Sequence, residues 1–257
     1  DFKTNVKKSF KKKKNEIFKK LFFDKTTLNF FNHRYTSYYV KKDNNELSKI
    51  CQKYIANKGY NISQFKNSNF KLEFFQNYSD YYSEIFQQNK DNIKNVLELG
   101  IGSIDKNNQY NMNMLGKDYK PGASLRVWRD YFKKANIFGA DIDKKTLFNE
   151  KRIKTTYVDQ SDSKSILKMF KKFKVKKYDV IIDDGCHRFD ETIIFFNNAI
   201  NKLSNTGIYI IEDIVPSQRK KFLKFFKSSN LQVKLINFYR PKKNILSNCL
   251  ITIRKNN

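Results

Sequence analysis

Two hydrophobic runs in this chain end in paired acids. Tyr178–His187 reads YDVIIDDGCH, in which the β-formers Val180, Ile181 and Ile182 give way to Asp183, Asp184, Gly185, Cys186 and His187. Further along, Ile208-Tyr209-Ile210-Ile211 runs into Glu212 and Asp213. Adjacent carboxylates, a glycine and an imidazole at the end of such a run make a polar site. An apolar run that delivers such groups reads as a buried parallel strand with a ligand site at its carboxyl end. Two strands of this kind are hard to explain as packing alone. The chain has two histidines, His33 and His187. His33 has no acidic neighbour in sequence and reads as structural.

A second group of residues has a nucleotide-like pattern. Glu98-Leu99-Gly100-Ile101-Gly102 follows a run of strand formers, and two glycines spaced by one let the backbone turn tightly beside a ligand. The third glycine of the dinucleotide fingerprint is absent, since Ser103-Ile104-Asp105 follows. Asp141 ends the next strand at GADID, where an acid can accept both ribose hydroxyls. Asp159 and Gln160 end the one after, and a carboxylate with an amide suits an adenine edge. Taken singly, each acid could be a loop or cap residue; Asp143 and Ser161 fit caps of the helices after them. The ordered series Glu98, Asp141, Asp159 and Asp183 at consecutive strand ends reads as the cofactor side of one site.

The elements that must position these groups alternate. Strands are expected near 95–99, 137–142, 153–158, 178–183, 207–213, 232–239 and 248–254, with helices near 123–134, 163–174, 190–203 and 216–229. This alternation predicts an α/β fold: a Rossmann-like, doubly wound, seven-stranded, mostly parallel sheet. The last two strands have only a short polar link, which predicts an antiparallel hairpin at one edge. Residues 103–121 are polar and turn-rich and read as a loop over the site. Upstream, Leu47, Ile50, Cys51, Tyr54 and Ile55 form one helical stripe, and Tyr78, Tyr81, Tyr82, Ile85 and Phe86 another. Both read as core faces, with Tyr81 or Tyr82 as alternatives for a pocket wall. Trp128 shares a helix face with Leu125 and Phe132 and reads as core. Three segments result: a basic, helical N-terminal extension over 1–45, a helical cap on the substrate side over 46–90, and the cofactor-binding domain over 91–257.

The formal charge of +27 points to a polyanion partner or to compositional drift. Lysine far outnumbers arginine, and Asn, Ile, Phe and Tyr are abundant, as an AT-rich genome produces. Drift is therefore the simpler account, with affinity for nucleic acid or an anionic surface through the lysine-rich N-terminus as a by-product. Phe10, Ile17, Phe18, Leu21 and Phe22 fall near helical spacing among those lysines, as in a basic amphipathic helix. Cys51, Cys186 and Cys249 form no CxxC pair, which argues against a zinc site or a disulfide framework. No apolar run is long enough to span a membrane, and no signal peptide is visible. The first residue is not Met, which fits processing or a longer parent chain. The expected location is cytoplasmic, with contact at the inner membrane surface as an option. A homo-oligomer is compatible with all of this.

The ordered series resembles class I S-adenosylmethionine-dependent methyltransferases. GASLRVWRDYFKKANIFGADID, RIKTTYVDQSD, YDVIIDDGCH and GIYIIEDI, with KYIANKGY and YSDYYSEIF upstream, resemble the macrocin and mycinamicin type of metal-dependent sugar O-methyltransferases. The likeness runs from about residue 46 to about 214. It implies that Glu98, Gly100 and Gly102 hold the amino acid part of S-adenosylmethionine, Asp141 its ribose, and Asp159 with Gln160 its adenine side. It also implies Asp184, Glu212 and Asp213 as Mg²⁺ ligands, His187 as general base, and a sugar-containing acceptor from a surface polysaccharide or a glycosylated metabolite. Cys186 stands where the family usually has serine, Thr206-Gly207 replaces a glycine pair, and Ala56-Asn57-Lys58 replaces a TDK-like stretch. Cys186 has no role in methyl transfer to oxygen and reads as structural. Competing readings are a nucleic-acid methyltransferase, against which no NPPY-like motif appears, and an inactive methyltransferase-fold module that binds nucleic acid.

Overall fold

A computed structural model describes residues 35–39, 45–59, 78–108, 111–239 and 249–256, with only the backbone described for 35–39 and 239. The basic amphipathic helix expected around Phe10–Phe22, and His33, lie outside the described residues. The strands are β1 Tyr35–Tyr39, β2 Asn95–Leu99, β3 Asn136–Asp141, β4 Asn149–Glu150, β5 Ile153–Tyr157, β6 Tyr178–Asp183, β7 Leu203–Ile211, β8 Leu231–Tyr239 and β9 Cys249–Lys255. The helices are α1 Glu46–Tyr54, α2 Tyr78–Phe86, α3 Ala123–Tyr131, α4 Ser163–Phe173, α5 Phe189–Ala199 and α6 Pro216–Phe226.

Among the described residues, one sheet of nine strands runs in the order β1-β8-β9-β7-β6-β2-β3-β5-β4. The expected count was seven, and the two additions lie at opposite edges. β4 is a two-residue strand antiparallel to β5, too short to carry a period. β1 pairs in parallel with β8. The β8–β9 pair is antiparallel as expected, yet β1 covers β8, and β9 is wedged antiparallel between β7 and β8. Local sequence reveals a hairpin, but not which distant strand closes over it.

Successive residues of a strand face opposite ways, and here both faces are covered. Val96, Val180, Ile182, Ile208 and Ile210 pack with Leu47, Tyr82, Trp128 and Phe132, from α1, α2 and the α3 region. Leu97, Ile181, Tyr209 and Ile211 pack on the other face with Met169, Phe195 and Phe222 from α4, α5 and α6. This accounts for the continuous apolar runs of β2 and β6.

Helix ends follow local chemistry. Asp162, rather than Ser161, caps α4 by accepting from the amides of Lys164 and Ser165, and Lys174 ends it in a left-handed conformation at φ 56. Asp143 caps a short 3₁₀ turn through the Lys145 amide. α6 starts on Pro216, whose missing N–H is no loss at a first turn. Among the described residues, no helix is long and apolar enough to cross a membrane.

β2 pairs with β3 on one side and with β6 on the other, both in parallel. The chain winds outward from β2 through β3 to β5, then restarts at β6 and winds the opposite way to β7. This reversal opens a crevice at the carboxyl ends of β2 and β6, where open α/β sheets bind ligands.

Candidate active site

The crevice is a cavity of about 900 Å³. Gly100, Gly102, Asp141, Asp159, Gln160, Asp184, Asp213 and His187 all line it. The loop expected over the site contributes Ser103, Asn107, Asn108, Asn111, Met112, Met114 and Tyr119.

On one side the walls are set by the turns after β2 and β3. Gly100 has φ +80, and a Cβ there would fall 2.0 Å from the carbonyl oxygen of Asp184. Its glycine is thus required by both conformation and the adjacent strand-end loop. Gly102 has φ +84, and a Cβ would lie 2.0 Å from the Tyr119 hydroxyl. Asp141 accepts from the Ile101 amide at 2.8 Å and the Asp143 amide at 2.8 Å, tying the two turns together. Burial pushes its carboxyl above the usual range, against those hydrogen bonds. Asp159 accepts from the amide and hydroxyl of Ser161. Gln160 is engaged at both ends: its NH₂ donates to Asp183 at 2.9 and 3.0 Å, and its Oε1 accepts from the Cys186 amide at 3.0 Å.

On the other side is a buried cluster of acids. Lys58 Nζ lies 3.0 Å from Glu98 Oε1, 2.8 Å from Asp184 Oδ2 and 2.6 Å from Glu212 Oε2. Burial alone would lower this lysine, but the carboxylates outweigh it and hold the ammonium well above its ordinary value. The second oxygens are also occupied. Trp128 Nε1 donates to Glu98 Oε2 at 2.9 Å, and the Tyr82 hydroxyl to Glu212 Oε1 at 2.5 Å. The Tyr78 hydroxyl donates to Asp213 Oδ1 at 2.6 Å. Burial raises Glu98, Glu212 and Asp213, and Glu212 most plainly. Three carboxylates therefore share one ammonium, with Asp213 beside them, which favours a further cation or protonation of an acid.

Asp184, His187 and Asp213 each offer a ligand atom within 4.8 Å of the others, a spacing that could hold a metal ion. His187 Nε2 is 4.0 Å from Asp184 Oδ1. His187 and Asp213 both have φ 55, a strained region for residues with a Cβ. The left-handed residues Ile55 and Lys174 are explained by helix C-caps, whereas His187 and Asp213 end no helix.

The structure thus gathers the expected residues at one place, in two tiers. Glu98 and Glu212 lie under the cavity wall, reached through Lys58, and do not line the cavity. Asp183 does not line it either: it is 2 % exposed and faces Gln160, and burial pushes its carboxyl up to about 7. Tyr81 and Tyr82 are buried rather than on the pocket wall. Trp128 is fully buried, as expected, while also holding Glu98. Cys186 is half-buried on the wall. Sequence reasoning missed Lys58, Tyr78 and Tyr82 as partners of the acids. The one available signal was a lysine in KYIANKGY and tyrosines in YSDYYSEIF, within the motifs that carry the resemblance.

No protein-family model matches the chain. It is 29% identical over 140 residues to the 8-demethyl-8-alpha-L-rhamnosyl tetracenomycin-C 2'-O-methyltransferase of Streptomyces olivaceus, covering 54% of this chain and 34% of that protein. It is 29% identical over 137 residues to the demethylmacrocin O-methyltransferase of Streptomyces fradiae, covering 53% and 31%. With the mycinamicin VI 2''-O-methyltransferase of Micromonospora griseorubida it shares 28% over 144 residues, covering 56% and 33%. The match spans about a third of the length of these curated relatives. Among solved structures, MycE methyltransferase in complex with Mg and SAH superposes with a TM-score of 0.57 at 21% identity, covering 84% of this chain and 55% of that one. The resemblance seen in the motifs therefore holds: the relatives are sugar O-methyltransferases of the macrocin and mycinamicin type, and the fold is that of class I methyltransferases.

Proposed function

We propose that this chain is a metal-dependent O-methyltransferase that moves a methyl group from S-adenosylmethionine to a sugar hydroxyl, with His187 as general base. The observation that carries this reading is the placement of Asp184, Asp213 and His187 on the wall of the same cavity that Gly100, Asp141 and Asp159 line.

The residues fit Mg²⁺. Three carboxylates on the Lys58 ammonium, with Asp213 beside them, carry an excess of negative charge, and oxygen donors suit a hard cation. Asp184 and Asp213 would hold the ion with Glu212, which in this structure bonds Lys58 and Tyr82. Bound there, Mg²⁺ supplies positive charge that orients a hydroxyl and stabilises a developing alkoxide.

The chain's own residues do the rest. Asp141 accepts the ribose hydroxyls, Asp159 with Gln160 borders the adenine side, and Glu98, Gly100 and Gly102 shape the amino acid end. His187 takes the proton from the acceptor hydroxyl at an imidazole nitrogen, help that is typically worth about 10²–10⁴-fold. The described residues of the 103–121 loop line the cavity and limit water near the transferring methyl. In this reading the described residues of the 46–90 segment lie on the acceptor side and those of 91–257 belong to the cofactor domain. The relatives act on sugars of glycosylated natural products according to their names, and an acceptor of that class is the natural candidate here.

Calorimetric titration of S-adenosylhomocysteine into the chain, with Mg²⁺ and then with EDTA, tests the reading. Binding in both conditions is expected, with the metal serving the acceptor side. Methyl transfer to a panel of methyl glycosides, including methyl α-L-rhamnoside, would follow. Absence of cofactor binding in either condition would overturn the assignment.

A further inference from the structure

A side chain outside the expected set reaches the backbone of His187. Gln218, in the first turn of α6, lines the cavity and donates from Nε2 to the carbonyl oxygen of His187 at 3.0 Å. The residue it holds is one of the two strained positions of the site, His187 at φ 55. The amide orientation follows from this bond, because a carbonyl can only accept. Gln218 Oε1 then lies buried with no hydrogen-bond partner among the described residues. Two departures from ordinary folding rules, a left-handed histidine and an orphaned amide oxygen, thus meet at a single contact. Departures of this kind concentrate where function, rather than stability, selects the arrangement.

We propose that Gln218 is a positioning residue that fixes His187 against the acceptor by holding its peptide in the left-handed conformation. This rests on the reading of His187 as general base. The imidazole hangs from the residue whose backbone Gln218 clamps, and α6 is itself fixed in the core by Phe222 and Phe226. A small rotation of the 187 peptide would swing the ring away from Asp184 and from the bound hydroxyl, and misplacement on this scale is costly to catalysis.

The test compares the full chain with Gln218→Met, which removes both polar atoms, and Gln218→Glu, which keeps an acceptor and loses the N–H donor. Four readouts are taken: kcat and KM with whichever methyl glycoside the native chain accepts, S-adenosylhomocysteine affinity by calorimetry, the melting temperature, and the imidazole C–H resonances. The chain has only His33 and His187, so the two rings are separable. In both variants the expected result is a kcat about tenfold lower or worse, with S-adenosylhomocysteine affinity unchanged. The melting temperature of Gln218→Met stays the same or rises, that of Gln218→Glu falls because a carboxylate oxygen then faces the His187 carbonyl, and in both the His187 resonance moves or broadens while that of His33 does not. An unmoved His187 resonance, or a full kcat in either variant, would overturn the proposal. So would a melting temperature that falls while kcat holds, which marks an ordinary structural bond. If the native chain methylates no glycoside, the proposed function fails, while the His187 resonance still decides whether Gln218 positions the ring.

Discussion

Lys58 and Glu212, 154 residues apart in sequence, meet at 2.6 Å with side chains 2% and 1% exposed. The lysine comes from the loop after α1 and the glutamate from the end of β7, so this contact joins the N-terminal cover to the sheet. Removing one partner of a buried pair leaves an uncompensated charge, at about 3–5 kcal/mol. Lys58→Met should therefore lower stability strongly in EDTA. If a divalent ion shares the acid cluster, saturating Mg²⁺ should recover part of the loss, about 2.7 kcal/mol at a hundredfold excess over Kd. Thermal unfolding of both proteins in EDTA and in Mg²⁺ reads this. An identical loss in both conditions would mean that the ion does not take the place of the ammonium among these acids.

Gly100→Ala should damage cofactor binding and stability together. The new methyl would sit 2.0 Å from the Asp184 carbonyl oxygen, and φ +80 is unfavourable for alanine. Backbone strain of this type costs about 1–3 kcal/mol, before any shift of the Asp184 loop. We expect a lower melting temperature and at least a tenfold weaker S-adenosylhomocysteine affinity by calorimetry, since the strained turn is also a cavity wall.

Much of this arrangement was legible because the chemistry lies on strand ends. Glu98, Asp141, Asp159, Asp184 and Glu212 each follow an apolar run, and period and composition place such runs within a residue or two. Asp183 shows the limit. It belongs to the same series, but the pleat turns successive side chains to opposite sides, and Asp184 rather than Asp183 reaches the cavity. Lys58, Tyr78 and Tyr82 were invisible as site partners because their meeting with the acids depends on how α1 and α2 dock, which no local pattern encodes. The same holds for β1, whose partner β8 lies far along the chain. Gln218 shows it once more, since only the fold brings it to His187.

Asp130 gives a pH signature of that docking. It accepts from Tyr54 at 2.6 Å and Lys53 at 2.9 Å on α1, and from Arg129 at 2.9 Å. Partial burial works against ionisation, but hydrogen bonds from Tyr54, Lys53 and Arg129 prevail and hold Asp130 at about 2. A depressed carboxyl contributes stability that is fully present above its unfolded value near 4 and is lost as pH falls through about 2. Because the group is partly exposed, about 1 kcal/mol is a fair expectation after solvent screening. Asp130→Asn should lose that amount at pH 6, and the gap to the native chain should close between pH 4 and pH 2. Urea unfolding across this range checks it; a gap independent of pH would assign the loss to packing.

Cys186 reports on occupancy of the cavity. It is half-buried on the wall, whereas Cys51 and Cys249 are buried. Burial raises the Cys186 thiol above its ordinary range, and the thiolate is the reactive form. Alkylation by iodoacetamide should therefore be slow at pH 7, accelerate as pH rises, and map to Cys186 by mass spectrometry. S-adenosylhomocysteine should slow it if the cofactor fills the same space. Labelling that ignores the nucleoside would place the cofactor elsewhere.

Asp184→Ala separates metal from cofactor. Asp184 bonds Lys58 through one oxygen and lies 4.0 Å from His187 Nε2 through the other, while its backbone amide bonds the carbonyl of Leu99. Only the side chain is removed, so the turn against Gly100 keeps its backbone support. If the carboxylate serves the ion and the acceptor, turnover should vanish while S-adenosylhomocysteine affinity stays within a few-fold of native. Stability should fall less than in Lys58→Met, because the deletion relieves the excess of negative charge instead of adding to it. Equal loss of turnover and cofactor affinity would move Asp184 into the cofactor pocket and leave the ion to Asp213 and Glu212.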